Sequence, residues 1–264
     1  MNVENRADQL HTDTGAQALL VRSDGGKERV TRQILREQRL ELVVNEQTVA
    51  RLVCTPADLE NFVVGRLVTE RIISDLEDIE QLYICESGSR ARVFLKQSIR
   101  LQAAVAEEPT CCTDNQIFLQ PVSSAEVLQL PSEISKDGNV WKEEWVFALV
   151  NAFAQDSKLH KSTGGTHSCV LGVEGRVLYS VEDIGRHNAM DKAIGYAVRQ
   201  GLDRSKCMLF TTGRVPTDMV RKAVNAGIPV LVSKAVPTRE AVELAAKSGL
   251  TLICRAWPDS FEVY

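Results

Sequence analysis

The chain has 264 residues, room for one large domain or two modest ones, and its 44% apolar and 25% charged content is that of an ordinary globular protein. A net charge of -4 excludes any global attraction to nucleic acid or to an acidic membrane surface. No uninterrupted apolar run approaches membrane-spanning length, and the polar start from Asn2 to Gln9 lacks the apolar stretch of an export signal, so a cytoplasmic protein is expected.

Residues 1–27 hold Gly25-Gly26 and little apolar periodicity, and read as a mobile arm. Leu40 to Val44 and Val49 to Val53 read as strands about a tight turn at Asn45-Glu46. Thr55-Pro56-Ala57-Asp58 reads as a helix start, with Thr55 as cap and Pro56 at the first helical position. Leu59, Phe62, Val63, Leu67 and Ile72 keep helical spacing as a core-facing stripe. Leu82 to Cys85 and Arg92 to Leu95 alternate as further strands, which makes the first unit antiparallel strands plus a helix. Trp141, Trp145, Ala148, Leu149, Ala152 and Phe153 mark a second amphipathic helix.

Beyond it the pattern becomes regular. Ser168 to Val173 and Arg176 to Ser180 are strands about Glu174-Gly175. Strands at 208–210, 230–232 and 250–254 alternate with helices at 216–226 and 239–248, each helix stopped by a glycine, Gly227 or Gly249. That alternation predicts parallel βαβ units with right-handed crossovers. The expected architecture is α/β (α+β overall) in four segments: the arm 1–27, an N-terminal α+β unit 28–105, a cysteine loop and connector 106–138, and a C-terminal α/β unit 139–264.

Seven cysteines at irregular spacing, with no export signal, argue against a disulfide framework. Cys54, Cys85, Cys169, Cys207 and Cys254 sit in or beside apolar strand runs, where buried inert thiols are the default. Cys111-Cys112 lies in a polar loop and reads either as two surface thiols or as a nucleophile; Glu107 and Glu108 nearby oppose the thiolate.

The densest stretch of ionisable residues runs Val181-Glu182-Asp183-Ile184-Gly185-Arg186-His187-Asn188-Ala189-Met190-Asp191-Lys192. It joins a strand to a helix. Gly185 permits a sharp turn, Asn188 is the expected N-cap, and Asp191 follows in the first turn. A capped helix does not require Glu182, Asp183, Arg186 and His187 beside it. A salt-bridged turn explains any one of them alone, and the cluster together favours a site. On that reading Glu182, Asp183 and His187 shape a ligand pocket. Removing one then costs what a surface ion pair costs, about 0–1 kcal/mol, and leaves the melting temperature nearly unchanged.

In an open parallel sheet, ligands lie beyond the carboxyl ends of the strands. The charged stretch, Thr211 to Pro216 and Ser233 to Thr238 are the three loops that qualify. Arg186, Arg214 and Lys234 are candidates to meet an anion there, with Gly213 turning the chain. Gly164-Gly165 is a candidate backbone nest for phosphate, followed by His167 as a donor to ligand or a structural residue. Neither standard nucleotide-loop motif occurs, G-x-x-x-x-G-K-[ST] or G-x-G-x-x-G, so the loops together point to an anionic ligand such as a nucleotide without naming it. His167 and Cys169 share a strand face, but no second pair completes a metal set, and none is expected.

The segments Thr163-Gly164-Gly165-Thr166-His167, Glu182 to Lys192, Gly213-Arg214-Val215, Lys222-Ala223, Ala226-Gly227-Ile228-Pro229 and Pro237-Thr238 resemble, in this order, the FdhD/NarQ family of formate dehydrogenase accessory sulfurtransferases. Val44-Asn45, Cys54-Thr55-Pro56-Ala57-Asp58-Leu59, Gly65, Glu70 and Ile72-Ile73 extend the likeness over most of 37–264. The resemblance implies a C-terminal layer similar to the cytidine deaminase fold, and a homodimer. It implies that persulfide sulfur from a cysteine desulfurase passes to the bis-molybdopterin guanine dinucleotide cofactor for the formate dehydrogenase catalytic subunit. GDP is the expected mimic of that cofactor. Cys112, and after it Cys111, match the family's reactive cysteine, and the cofactor segment falls on Arg255-Ala256-Trp257-Pro258-Asp259-Ser260. The family loop usually reads Cys-x-x-Cys, and here Asn115 stands at the second position. Arg66 and Arg71 also depart from the usual Phe and Gly, and the C-terminal segment has one Arg where members often have more. Two other readings remain. One is a non-catalytic binder of the cofactor or of a guanine nucleotide. The other is a zinc deaminase, whose H-x-E and P-C-x-x-C motifs this chain does not carry.

Overall fold

The computed structural model describes residues 1–7, 10–104, 115–122, 129–130 and 141–264. In chain order the strands are β1 Asn2–Asn5, β2 Asp13–Val21, β3 Lys27–Leu35, β4 Gln38–Val44, β5 Gln47–Cys54, β6 Ile79–Ile84, β7 Arg90–Leu95, β8 Leu101–Ala103, β9 Gln116–Ile117 and β10 Leu119–Pro121. They continue as β11 His167–Val173, β12 Arg176–Asp183, β13 Cys207–Thr211, β14 Val230–Ser233, β15 Thr251–Cys254 and β16 Glu262–Val263. The helices are α1 Leu59–Thr69, α2 Glu143–Asp156, α3 Lys158–Thr163, α4 Arg186–Arg199, α5 Thr217–Asn225 and α6 Arg239–Ser248.

Two six-stranded sheets carry the fold, in the orders β1-β6-β7-β4-β5-β9 and β12-β11-β13-β14-β15-β16. The β4–β5 turn at Asn45-Glu46 holds both residues at positive φ, the twist that lets a two-residue hairpin close. The first sheet is mixed rather than antiparallel, since β1 runs parallel to β6 and β4 parallel to β7. It also takes β1 from the expected arm and β9 from the expected connector. Residues 1–27, the expected mobile arm, hold β1 and β2, and β2 pairs with β3 as a separate ribbon. The ribbon is fastened by backbone bonds while most of its side chains are exposed, so it leaves no apolar period in the sequence. In the second sheet β13, β14 and β15 are parallel as expected, flanked by antiparallel β11, β12 and β16.

One core spans both units. Leu42, Val44 and Leu52 of the first sheet, Phe62 and Leu67 of α1, Met190 and Ile194 of α4, and Leu209, Leu231 and Leu252 of the second sheet belong to a single buried cluster. A second cluster lies on the far face, where Val146, Leu149 and Val150 of α2 cover Val170, Phe210, Val232 and Ile253. α1 and α4 cross between the sheets at two glycines. A Cβ on Gly65 would overlap the carbonyl of Asp191, and one on Gly195 the carbonyl of Asn61. Backbones approach this closely only where the side chain is a hydrogen. α1 begins at Leu59, three residues later than the expected first position at Pro56, behind Asp58 in the left-handed region. Thr55 does not cap it, because its backbone and hydroxyl are committed to the charged stretch described next.

Candidate functional site

β12 and β13 both run antiparallel to β11, so β12, β13, β14 and β15 end on one edge of the second sheet. His167, the first residue of β11, pairs across from Asp183, the last of β12. The loops leaving this edge are tied to each other. Thr212 N donates to Ser168 O at 3.1 Å and Lys234 N to Thr211 O at 3.0 Å. Ser233 Oγ donates to Gly213 O at 2.7 Å, and Ala256 N to Ser233 O at 3.0 Å. The segments that carry His167, Asp183, Arg186, His187, Gly213, Arg214, Lys234 and Arg255 to Ser260 therefore lie at one edge.

Within that edge the residues divide by exposure. Arg214, Arg255, Pro258, Asp259 and Ser260 are exposed. Trp257 is 46% exposed, and the Lys234 ammonium stands 4.8 Å from its ring centroid and 5.4 Å from that of Phe153. The outer rim thus mixes signs: Lys234 stands over a flat aromatic face and Arg214 is exposed on a neighbouring loop, while Arg255 lies 3.4 Å from Glu262 and Asp259 adds an exposed carboxylate.

The charged stretch lies beneath this rim, and it is buried. Asp183 is fully enclosed, with its Oδ2 2.6 Å from Lys192 Nζ, whose side chain is also fully enclosed. The same oxygen accepts Thr55 N at 3.0 Å and Thr55 Oγ1 at 2.9 Å, while Oδ1 accepts Gly185 N and Asn188 Nδ2, both at 2.9 Å. Lys192 completes its shell on Thr55 O at 3.1 Å and Thr55 Oγ1 at 2.8 Å. This corrects the surface-pair expectation: Asp183 joins the two units rather than lining an open pocket. Asn188 is not the N-cap of α4. Gly185 holds that position in an extended conformation, and Asn188 is buried with Nδ2 donating to Val53 O at 2.7 Å.

Glu182 accepts Leu159 N at 2.8 Å, His160 N at 2.7 Å and Thr166 Oγ1 at 2.8 Å, anchoring α3 to the edge. Gly164 ends α3 in the left-handed region with its N–H on His160 O at 2.7 Å, and Gly165 N donates to Thr163 Oγ1 at 3.3 Å. Both glycine donors are therefore spent on the helix end, which corrects the phosphate-nest reading. Gly213 makes room for Arg186, since a Cβ there would lie 2.7 Å from that side chain. His187 Nε2 lies 2.8 Å from Asp218 Oδ2 on α5. Burial holds His187 below the usual imidazole value, outweighing the opposing pull of Asp218. Burial lowers His167 as well, reinforced by the charge of Arg186.

Sequence reasoning missed a second buried cluster. Asp191 Oδ1 accepts Lys222 Nζ at 2.8 Å and Thr69 Oγ1 at 2.7 Å, and Arg66 stands 3.4 Å from Oδ2 and 3.0 Å from Glu70. Burial works to raise the Glu70 carboxyl, but Arg66 and Lys222 outweigh it and hold it below the usual range. The one legible signal was Arg66 itself, a cation inside an apolar helical stripe.

Cys111 and Cys112 lie outside the described residues. Cys54, Cys169, Cys207 and Cys254 are buried as expected. Burial raises all four thiols, Cys207 to about 11 and Cys254 to about 12. Cys85 departs from that expectation. It is half-buried in the turn after β6, 3.3 Å from Ser87 Oγ and 3.6 Å from Ser89 Oγ. Burial alone would raise it, but bonds from Ser87, Ser89 and the backbone bring it down to about 7. Among the described residues no three His, Cys, Asp or Glu side chains gather as a metal set, and no helix is long and apolar enough to cross a membrane.

The family model of the FdhD/NarQ family matches residues 35–264, and the chain belongs to that family. Among its relatives are proteins named sulfur carrier protein FdhD. That of Halalkalibacterium halodurans is 32% identical over 224 residues, covering 83% of this chain and 81% of its own. That of Listeria monocytogenes serovar 1/2a is 29% identical over 232 residues, covering 86% and 87%. A crystal structure of a formate dehydrogenase accessory protein from Desulfotalea psychrophila superposes with a TM-score of 0.73 at 23% identity, covering 96% of this chain and 97% of that one. It shares the fold.

Proposed function

We propose that this chain is a cytoplasmic sulfur carrier for formate dehydrogenase, loading persulfide sulfur on its cysteine loop and passing it to a guanine dinucleotide form of the molybdenum cofactor held at the carboxyl edge. The observation that carries the reading is the Lys234 ammonium over the exposed Trp257 ring, with Arg214 and Arg255 exposed on neighbouring loops of the same edge, above a buried floor that ties both sheets together. Relatives named as sulfur carriers support the first half of it.

In the loading step the Cys112 thiolate attacks the outer sulfur of a cysteine desulfurase persulfide. The donor's S–S bond breaks, the donor leaves as a thiolate, and Cys112 keeps the sulfur as its own persulfide. In delivery an external thiol attacks the inner sulfur of the Cys112 persulfide: the S–S bond breaks, the thiol and Cys112 end as a mixed disulfide, and the outer sulfur leaves with the electron pair as sulfide to the bound cofactor, which then goes to the formate dehydrogenase catalytic subunit. A homodimer presents two such edges.

The test has two arms. Mass spectrometry after incubation with a desulfurase and cysteine should find sulfur on Cys112; sulfur on Cys111 reverses that assignment, and sulfur on neither leaves a non-catalytic binder. Calorimetry should detect GDP binding, weakened by about 1.5–3 kcal/mol in Arg214→Ala through loss of a charge-assisted bond. No GDP binding to the intact protein overturns the cofactor site.

A further inference from the structure

We infer that the β2–β3 ribbon is a self-pairing arm, in which the outer edge of β3 joins the same edge of a second copy of this chain; the inference rests on the homodimer of the reading above and not on its sulfur chemistry. The ribbon pairs nine residues of β2 with nine of β3, and among the described residues no third strand joins either side. In β3 only Val30 and Leu35 are partly covered, and the other seven residues are exposed. A two-stranded ribbon alone is marginally stable in water, and three or more strands with an apolar face are needed. Two copies joined at one edge make a sheet of four.

The side chains of β3 decide which register such a pair can take. Glu28, Val30, Arg32 and Ile34 share one face, and Lys27, Arg29, Thr31 and Gln33 share the other. When identical strands pair antiparallel about a twofold axis, the residue on the axis sits opposite itself. With Val30 on the axis, Glu28 of each copy faces Arg32 of the other, Arg29 faces Thr31, and Lys27 faces Gln33. Two ion pairs form and no like charges meet. An axis at Glu28, Arg29 or Arg32 sets that charge against its own copy, and one at Thr31 sets Glu28 against Ile34 and Arg32 against Val30. Opposite charges directly across two strands favour pairing and like charges oppose it. Charged edges ordinarily keep strands apart. This one is complementary to itself in a single register. The β2 edge specifies none, since it carries no charge from Thr14 to Val21.

The rest of the ribbon accommodates the arrangement. Glu28 meets Arg22 at 2.7 Å within the ribbon, and a carboxylate has acceptor capacity for a second guanidinium. Val30 lies opposite Ala18, and Glu28 opposite Leu20, so the apolar patch of Ala18, Leu20 and Val30 continues into the same patch of the second copy. Leu35 at the base of one ribbon comes level with Gly25 at the tip of the other. The two bases then stand about 34 Å apart along the strands, which keeps the bodies apart.

Sedimentation of the full-length protein and its variants provides the test. The unaltered chain should dimerise reversibly. Glu28→Arg and Arg32→Glu should each raise the dissociation constant about tenfold or more, because both symmetry-related pairs become like-charged. An equimolar mixture of the two variants should recover the dimer, since an edge with two arginines then meets an edge with two glutamates. That recovery also shows that both variants fold. Oxidised Val30→Cys should yield a covalent dimer linked at position 30, because Cα atoms opposite each other in antiparallel strands stand about 4.5–5.5 Å apart, within disulfide reach. A dimer that both charge variants leave within about twofold overturns the ribbon contact while the homodimer stands. So does a mixture that stays monomeric, or a covalent link that peptide mapping finds in Ala18→Cys and not in Val30→Cys. A chain that remains monomeric at about 100 µM overturns the homodimer and the ribbon contact together.

Discussion

Replacing Asp183 by Asn tests the claim that the charged stretch is a buried bracket between the two sheets. The Asp183 and Lys192 side chains are both 0% exposed and 2.6 Å apart. Removing one charge leaves the other without compensation in the interior, which costs about 3–5 kcal/mol. Against a total stability of about 5–15 kcal/mol that is about a fifth or more. At roughly 2–4 °C per kcal/mol for a chain of this size, the melting temperature should fall by about 6–20 °C. Asp183→Asn also turns an amide donor toward Thr55 N or Lys192 Nζ, both of which now donate to Asp183. Lys192→Met should be destabilising too. The double variant should lose much less than the sum of the two single losses, because the second change removes a charge already unpaired. Thermal unfolding by circular dichroism on the three variants decides the matter. Single losses below about 1 kcal/mol, the range of an exposed pair, would refute the reasoning and restore the pocket-lining role expected from the sequence.

Gly195→Ala should cost about 3 kcal/mol or more, since its Cβ would collide with the Asn61 carbonyl and force α1 and α4 apart; denaturant unfolding measures it, and a loss under about 1 kcal/mol rejects the close crossing. Among the described cysteines, Cys85 should be alkylated first by iodoacetamide near neutral pH, while Cys54, Cys169, Cys207 and Cys254 stay protected until unfolding. Peptide mapping that finds any of those four ahead of Cys85 contradicts the assignment. His167 and His187 both sit below their unfolded value of 6.5, so the unfolded chain binds more protons once pH drops through that point. Their contribution is present above 6.5 and is lost as pH falls below that point through the lowered folded values, and His187→Gln should flatten that slope; an unchanged slope counts against the buried imidazole.

The second sheet was readable because its strands are short apolar runs and its helices end at Gly227 and Gly249, signals carried by neighbouring residues. That the loops of Arg186, Arg214 and Lys234 leave from one edge followed from the same pattern, since parallel strands deliver their exits to one edge, whereas Arg255 was placed there only by the family resemblance. What was hidden depended on distance along the chain. Thr55 looks like a helix cap in its own neighbourhood, and only Asp183, 128 positions away, diverts it. Asp191 and Lys192 look alike in the sequence yet serve separate clusters, one meeting Lys222 and Arg66, the other Asp183. The strands β1 and β2 within the arm were hidden because they are held by backbone pairing, which side-chain periodicity does not report. Cys85 was misread because a turn of serines, rather than the strand before it, sets its chemistry.

The glycine crossing also bears on how the chain is made. α1 is complete once Thr69 has left the ribosome, but α4 ends about 130 residues later, at Arg199. At roughly 5–20 residues per second, the earlier helix waits about 7–26 s for its partner. During that interval Phe62, Val63, Val64 and Leu67, all fully enclosed in the finished molecule, have only the first sheet to cover them, and Arg66 has neither Asp191 nor α4 beside it. The first sheet is therefore not a self-sufficient folding unit on the emerging chain. Synthesis halted before residue 199 should yield a sticky intermediate that depends on chaperones, and expression of the two halves as separate polypeptides should leave the first half insoluble unless the second is present to close over it.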